Sequence, residues 1–146
     1  MRASRRYFVF ATGATVASSF TGCGGGGGSP SSPSTPVTPP PITGEIRVPL
    51  MGVGETVGAS ANLVGNLQTP IAVTRTSQTE VIAVSRVCTH EGCTVNLPAS
   101  SGGTLDCPCH GSRFRTSGQV IQGPATRNLF AFPARISGNE VVITPP

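Results

Sequence analysis

Two six-residue stretches, CTHEGC at 88–93 and CPCHGS at 107–112, hold four of the chain's five cysteines and both of its histidines. A hydrophobic core needs no such clustering, whereas a metal site does. The spacing is Cys88-x-His90, sixteen intervening residues, then Cys107-x-x-His110. That supplies two soft thiolates and two imidazoles. Two Cys and two His also make a tetrahedral zinc set, but zinc loops generally pair Cys with Cys and His with His. Here each stretch mixes one of each. Each also carries a further cysteine, Cys93 or Cys109, which one four-coordinate metal does not need. An exported protein can keep such a pair as a disulfide.

The paired boxes resemble the two cluster-binding boxes of Rieske [2Fe–2S] proteins. The resemblance extends to VSRVCTH before the first box and to GPA at 123–125 after the second, and covers roughly residues 45–146. Carried over by position, it implies that Cys88 and Cys107 bind one iron, His90 and His110 the other, and that Cys93 and Cys109 form a disulfide. Ser112 would donate its hydroxyl to a bridging sulfide. Gly123 and Pro124 would belong to the loop that covers the cluster, with Thr126 where a second proline is common.

Uneven ligation has a physical consequence. Four thiolates leave an oxidised [2Fe–2S] site doubly negative, whereas two thiolates and two neutral imidazoles leave it neutral. An added electron then meets less repulsion. Rieske centres lie at about −150 to +300 mV, against about −400 mV for plant-type ferredoxins. Hydrogen bonds to the sulfurs favour the reduced state, and the implied disulfide and Ser112 resemble the high-potential, quinol–cytochrome c reductase-like branch. High-potential members usually carry Tyr two residues after the box Ser. Phe114 stands there, which implies a potential below theirs.

Elements must hold the two boxes. Both lie in Gly- and Pro-containing stretches between apolar runs, so they read as loops on a rigid scaffold. EIRVPL (45–50), IAVTR (71–75) and VIAVSRV (81–87) read as strands. LFAFPARI (129–136) and EVVIT (140–144) flank SGN as a terminal hairpin. GETVGASANLVGNL (54–67) reads as loop with a possible strand. No stretch of a dozen residues has a helical period. The expected fold is all-β, a Rieske-type antiparallel sandwich or small barrel carrying two cluster-binding loops over residues 43–146.

Residues 1–23 read as an export signal: a basic start, an apolar stretch from Tyr7 to Phe20, and a small-residue end. The apolar stretch is shorter than the roughly 20 residues a membrane span needs. SRRYF resembles a twin-arginine signal, with Ser4, Arg5, Arg6 and Phe8 in place. FTGC at 20–23 resembles a lipobox, which would make Cys23 the lipidated residue and account for the odd fifth cysteine. Residues 24–42, GGGGGSPSSPSTPVTPPPI, read as a linker whose Gly part is flexible and whose Pro part is extended. The expected location is the outer face of the cytoplasmic membrane or the periplasm.

The net charge of +4 comes from ten Arg and no Lys, against six acids. Without residues 1–23, seven Arg oppose six acids, leaving +1. No basic stripe exists for nucleic acid. The resemblance implies a subunit that carries single electrons from quinol, or from a cytochrome b-type partner, to a cytochrome-type acceptor, rather than a stand-alone enzyme. Two further readings are the small Rieske subunit of a molybdopterin oxidase of the arsenite-oxidase kind, and a redox-inactive module stapled by metal.

Overall fold

Sequence alternation and its local absence account for the layering. The computed structural model describes residues 37–38, 41–53, 56–63 and 69–146. Ten strands occur among them: β1 (Ile46–Pro49), β2 (Ser60–Leu63), β3 (Ile71–Arg75), β4 (Val81–Ser85), β5 (Leu105–Asp106), β6 (Arg113–Phe114), β7 (Val120–Gln122), β8 (Ala131–Phe132), β9 (Ala134–Ser137) and β10 (Glu140–Ile143). A single 3₁₀ turn, Leu50–Gly52, accompanies them. They form three antiparallel sheets, β1-β10-β9, β2-β3-β4-β8 and β5-β6-β7. No helix among the described residues is long and apolar enough to cross a membrane.

The β2-β3-β4-β8 sheet lies between two cores. In β3 and β4, Ile71, Val73, Val81 and Ala83 face one core with Ile46, Val141 and Ile143 of the first sheet. Ala72 and Val84 face the other, with Leu105, Phe114, Cys88 and Cys107. Successive strand residues point to opposite faces, so a sheet covered on both sides requires an unbroken apolar run. Ile71–Val73 of β3 and Val81–Val84 of β4 meet that requirement. Each fully buried Val or Ile contributes about 1.5–3 kcal/mol relative to exposure. Ile42, the last residue of the linker as read from sequence, is buried in the first core.

Several expectations need adjustment. The 129–136 run is two strands, because Pro133 has no N–H to continue a ladder. On its N-terminal side β8 pairs with β4, and on its C-terminal side β9 pairs with β10. The chain changes sheets at that residue. The strand read over 81–87 ends at Ser85, after which Val87 makes only an isolated bridge to Thr94. The ambiguous 54–67 segment supplies β2, antiparallel to β3. Strands β5, β6 and β7 have no signature in the sequence, since two or three residues show no period. Residues 1–23, with Arg5, Arg6 and Cys23, and linker residues 24–36 lie outside the described residues.

Candidate metal centre

Both boxes are the turns of short hairpins, and both turns are built alike. In the first, Cys88 N–H donates to the Cys93 carbonyl at 2.8 Å and Gly92 N–H to the Cys88 carbonyl at 2.8 Å. In the second, Cys107 N–H donates to the Ser112 carbonyl at 2.8 Å and Gly111 N–H to the Cys107 carbonyl at 3.1 Å. Each glycine stands four residues after its cysteine, with φ of +79° and +75°. A side chain at either place would strain the left-handed backbone. The matched spacing in the sequence is therefore a matched backbone bond pattern. A bridge between Asn96 and Asp106 connects the two hairpins.

This geometry sets two cysteines inward and two toward each other. Cys88 and Cys107 are free thiols, 1% and 4% exposed, in the second core. Burial pushes the Cys88 thiol up. The backbone N–H groups of His90 and Glu91 pull it down, and a hydrogen bond with the Cys107 side chain pushes it up again. The two sulfurs are thus neighbours, and backbone donors already aim at one of them. Cys93 and Cys109 form a disulfide across the boxes, with Cα atoms 6.5 Å apart.

The histidines are neighbours too. Their ring centroids lie 5.0 Å apart and nearly perpendicular. His90 Nδ1 is buried and has no hydrogen-bond partner. Leaving such an atom unsatisfied costs about 1–3 kcal/mol, so it calls for a ligand. His110 is about half exposed, and its Nδ1 lies 3.5 Å from a Glu91 carboxylate oxygen. Ser112 is fully buried; its Oγ accepts the Ala125 N–H at 2.9 Å. No acceptor for its hydroxyl proton lies within hydrogen-bond distance among the described residues. Phe114 is fully buried in the core that holds Cys88 and Cys107. Gly123 and Pro124 are exposed, joined by a cis peptide bond, and lead into buried Ala125.

Several contacts around the boxes have no counterpart in the sequence reading. Gln122 Nε2 donates to the Gly111 carbonyl at 3.0 Å, and Thr89 Oγ1 donates to the Arg127 carbonyl at 2.7 Å. A Gln or a Thr forms such bonds anywhere, so only folding reveals their partners. Glu91 stood inside the first box and was legible as an acid there. Its place beside His110 was not.

Asp106 braces the hairpin beneath the second box, accepting from Thr104 Oγ1 and Arg113 Nε. Burial raises its carboxyl, but these hydrogen bonds and the Arg113 charge outweigh that and hold it below the ordinary carboxylate range. A depressed carboxylate stabilises the fold above its unfolded pKa of about 3.9 and loses that contribution as pH falls through the folded value. The pair is half exposed, so the contribution is about 0.5 kcal/mol. Asp106→Asn is expected to lower stability slightly at pH 7 and not at pH 2, read from urea midpoints at both pH values.

Two hairpins on a three-sheet β scaffold, presenting two buried thiols and two imidazoles, define a mixed sulfur–nitrogen metal protein. The chain belongs to the Rieske [2Fe–2S] domain family, whose model matches residues 49–133, more than half of it. It is 42% identical over 62 residues to the cytochrome b6-f complex iron-sulfur subunit of Chlorobaculum thiosulfatiphilum, covering 42% of this chain and 34% of that one. It is 39% identical over 69 residues to the mitochondrial Rieske subunit of the cytochrome b-c1 complex of Chlorocebus aethiops, covering 47% and 25%. The plasma membrane Rieske protein PetC3 from Synechocystis PCC 6803 superposes with a TM-score of 0.57 at 31% identity, covering 68% of this chain and 98% of that one. The matched part spans about a quarter to a third of the two curated relatives' length. The cofactor is a [2Fe–2S] cluster. The donor set fits such a group: two adjoining thiols, an orphaned imidazole nitrogen and an undirected buried hydroxyl.

Proposed function

We propose that Cys88 and Cys107 hold one iron and that His90 and His110 hold the other. The bound cluster supplies a one-electron couple. The chain's own residues would shape it: backbone N–H groups of His90 and Glu91 would donate to Cys88, and buried Ser112 would direct its hydroxyl at the site. The Cys93–Cys109 bond ties the two boxes together. Exposed His110 is where a partner reaches the centre. On this reading the protein takes electrons from quinol at a cytochrome b-type partner and passes them to a cytochrome-type acceptor. The observation that carries it is the orphaned His90 Nδ1, two residues along the chain from the buried Cys88 thiol that meets Cys107. The kinship with b6-f and b-c1 subunits supports the partner class.

Anaerobically reconstituted protein should contain iron and labile sulfide and give a Rieske EPR signal when reduced. Its potential should stand well above about −400 mV, within the range of about −150 to +300 mV. A potential near −400 mV would remove the quinol from the proposal. Co-purification with a large molybdopterin protein, and not with a b-type cytochrome, would replace the donor.

Phe114 tunes that potential. A tyrosine hydroxyl at this fully buried position must find an acceptor, or it costs about 1–3 kcal/mol. With a cluster sulfur as acceptor, Phe114→Tyr is expected to raise the potential by a few tens of millivolts and leave the melting temperature nearly unchanged. Protein-film voltammetry showing no rise, together with a falling melting temperature, would count against that acceptor.

The same proposal places the protein outside the cytoplasmic membrane. Arg5 and Arg6 direct export, Cys23 carries the lipid, and residues 24–36 tether the head. Val37 and Thr38 already lie along the head, in a cleft of about 270 Å³ that they share with Val87, Thr89 and Arg127. Cys23→Ser should shift the protein from the membrane to the soluble fraction, and deletion of 24–36 should slow turnover.

A further inference from the structure

Ser112 presents a question of polarity. A hydroxyl is one donor and two acceptor sites. Its oxygen already receives the Ala125 N–H, and its residue is fully buried. The proton must then point to whatever else adjoins it. Ala125 lies in the 122–127 loop, and that loop is fastened on both sides of Ala125 by side chains. Upstream, Gln122 Nε2 donates to the carbonyl of Gly111, one residue before Ser112. Downstream, Thr89 of the first box donates to the carbonyl of Arg127. The loop thus touches the second box twice and the first box once.

We infer that Thr89 and Gln122 are positioning residues: by fastening the loop to both boxes they hold the Ala125 N–H on Ser112 Oγ and commit the Ser112 proton to the metal centre. If the Ala125 amide withdraws, the hydroxyl is no longer held in one orientation, and its hydrogen bond to the reduced centre weakens. Reduction then becomes less favourable although no ligand has changed. The chain's own covering loop therefore sets the potential through a backbone amide. This rests on the cluster assignment proposed above.

The test joins a redox measurement to one that needs no redox centre. Thr89→Val and Gln122→Met keep side-chain volume and remove the donors. In the reconstituted full chain each should speed hydrogen exchange at the Ala125 amide about fivefold to tenfold. Each should also lower the reduced-to-oxidised ratio at fixed potential several-fold, where a tenfold change corresponds to about 59 mV. Thr89→Ser, which restores a donor, should recover both readings. Ser112→Ala should lower the potential further, and adding Thr89→Val to it should change the potential no more. Unaltered exchange in Thr89→Val and Gln122→Met overturns the clamp. Faster exchange with unaltered potential, or an equal potential shift in the Ser112→Ala background, overturns the commitment of the proton. A chain that exchanges as expected but holds no iron overturns the cluster assignment and the proton's role together, leaving the loop fastening as structure alone.

Discussion

Cys107→Ala is expected to leave a folded chain that retains no iron and no labile sulfide after anaerobic reconstitution. Cys107 is 4% exposed and sits in the core beneath the boxes, so removal of its sulfur leaves a small cavity costing about 1 kcal/mol. The turn that carries it survives, because its closing bonds are backbone to backbone and do not involve the sulfur. The disulfide also survives, since it uses Cys109 and not Cys107. The scaffold should therefore give an unchanged far-ultraviolet circular dichroism spectrum. Retention of iron is another matter. One of two thiolates on the proposed sulfur-ligated metal is gone, and alanine offers no donor. Iron and sulfide assays should fall to background, with loss of the visible bands and of the EPR signal. Full iron content in folded Cys107→Ala would remove the ligand assignment. Wild-type protein should also unfold at a higher temperature with the centre than without it, because a group that binds only the native state stabilises it by mass action.

Loss of the disulfide is expected to be the largest purely structural lesion. Cys93 and Cys109 are separated by sixteen positions, a closure worth about 3 kcal/mol in the chain-entropy account. For a domain of roughly a hundred residues that is a fall in melting temperature of about 12–24 °C. The double variant Cys93→Ser/Cys109→Ser is the one to measure, since a single change leaves a reactive thiol beside the centre. The other contacts that span the boxes are single and weaker: the Asn96–Asp106 bridge, Cys88 against Cys107, His110 beside Glu91, and the loop held by Thr89. The boxes should consequently drift apart in the double variant, with faster loss of iron on standing and a lower potential. Equal melting temperatures for wild type and double variant under oxidising conditions would show that the hairpins hold their register unaided.

Much of the candidate centre was legible beforehand because its chemistry is carried by rare residue types. Both histidines and four cysteines fall in twelve positions, and a matched glycine follows the first cysteine of each box by four residues. The glycines are legible as pattern, and the structure supplies their reason in two left-handed turns. The central strands were equally legible. Residues 71–73 and 81–84 are apolar without alternation, and a strand needs that composition only when both faces are covered. The short strands β5, β6 and β7 were not legible, because a segment of two or three residues has no periodicity. Neighbouring strands, and not its own side chains, make it a strand.

The amino-acid order alone determined the kinds of candidate ligand atom, their grouping into two boxes, and the apolar runs from which a β scaffold must be made. Those are properties of residue type and spacing, which fix donor chemistry and the faces of a strand. Folding alone decided which atoms meet across distance: Cys93 with Cys109, Thr89 with the Arg127 carbonyl, Ala125 with Ser112. It also decided that Pro133 would pass the chain from one sheet to the next. The reason is that hydroxyls, amides and carbonyls are common and interchangeable along a chain. Their pairing depends on how hairpins stack, and stacking is set by cores that draw residues from the whole length of the domain.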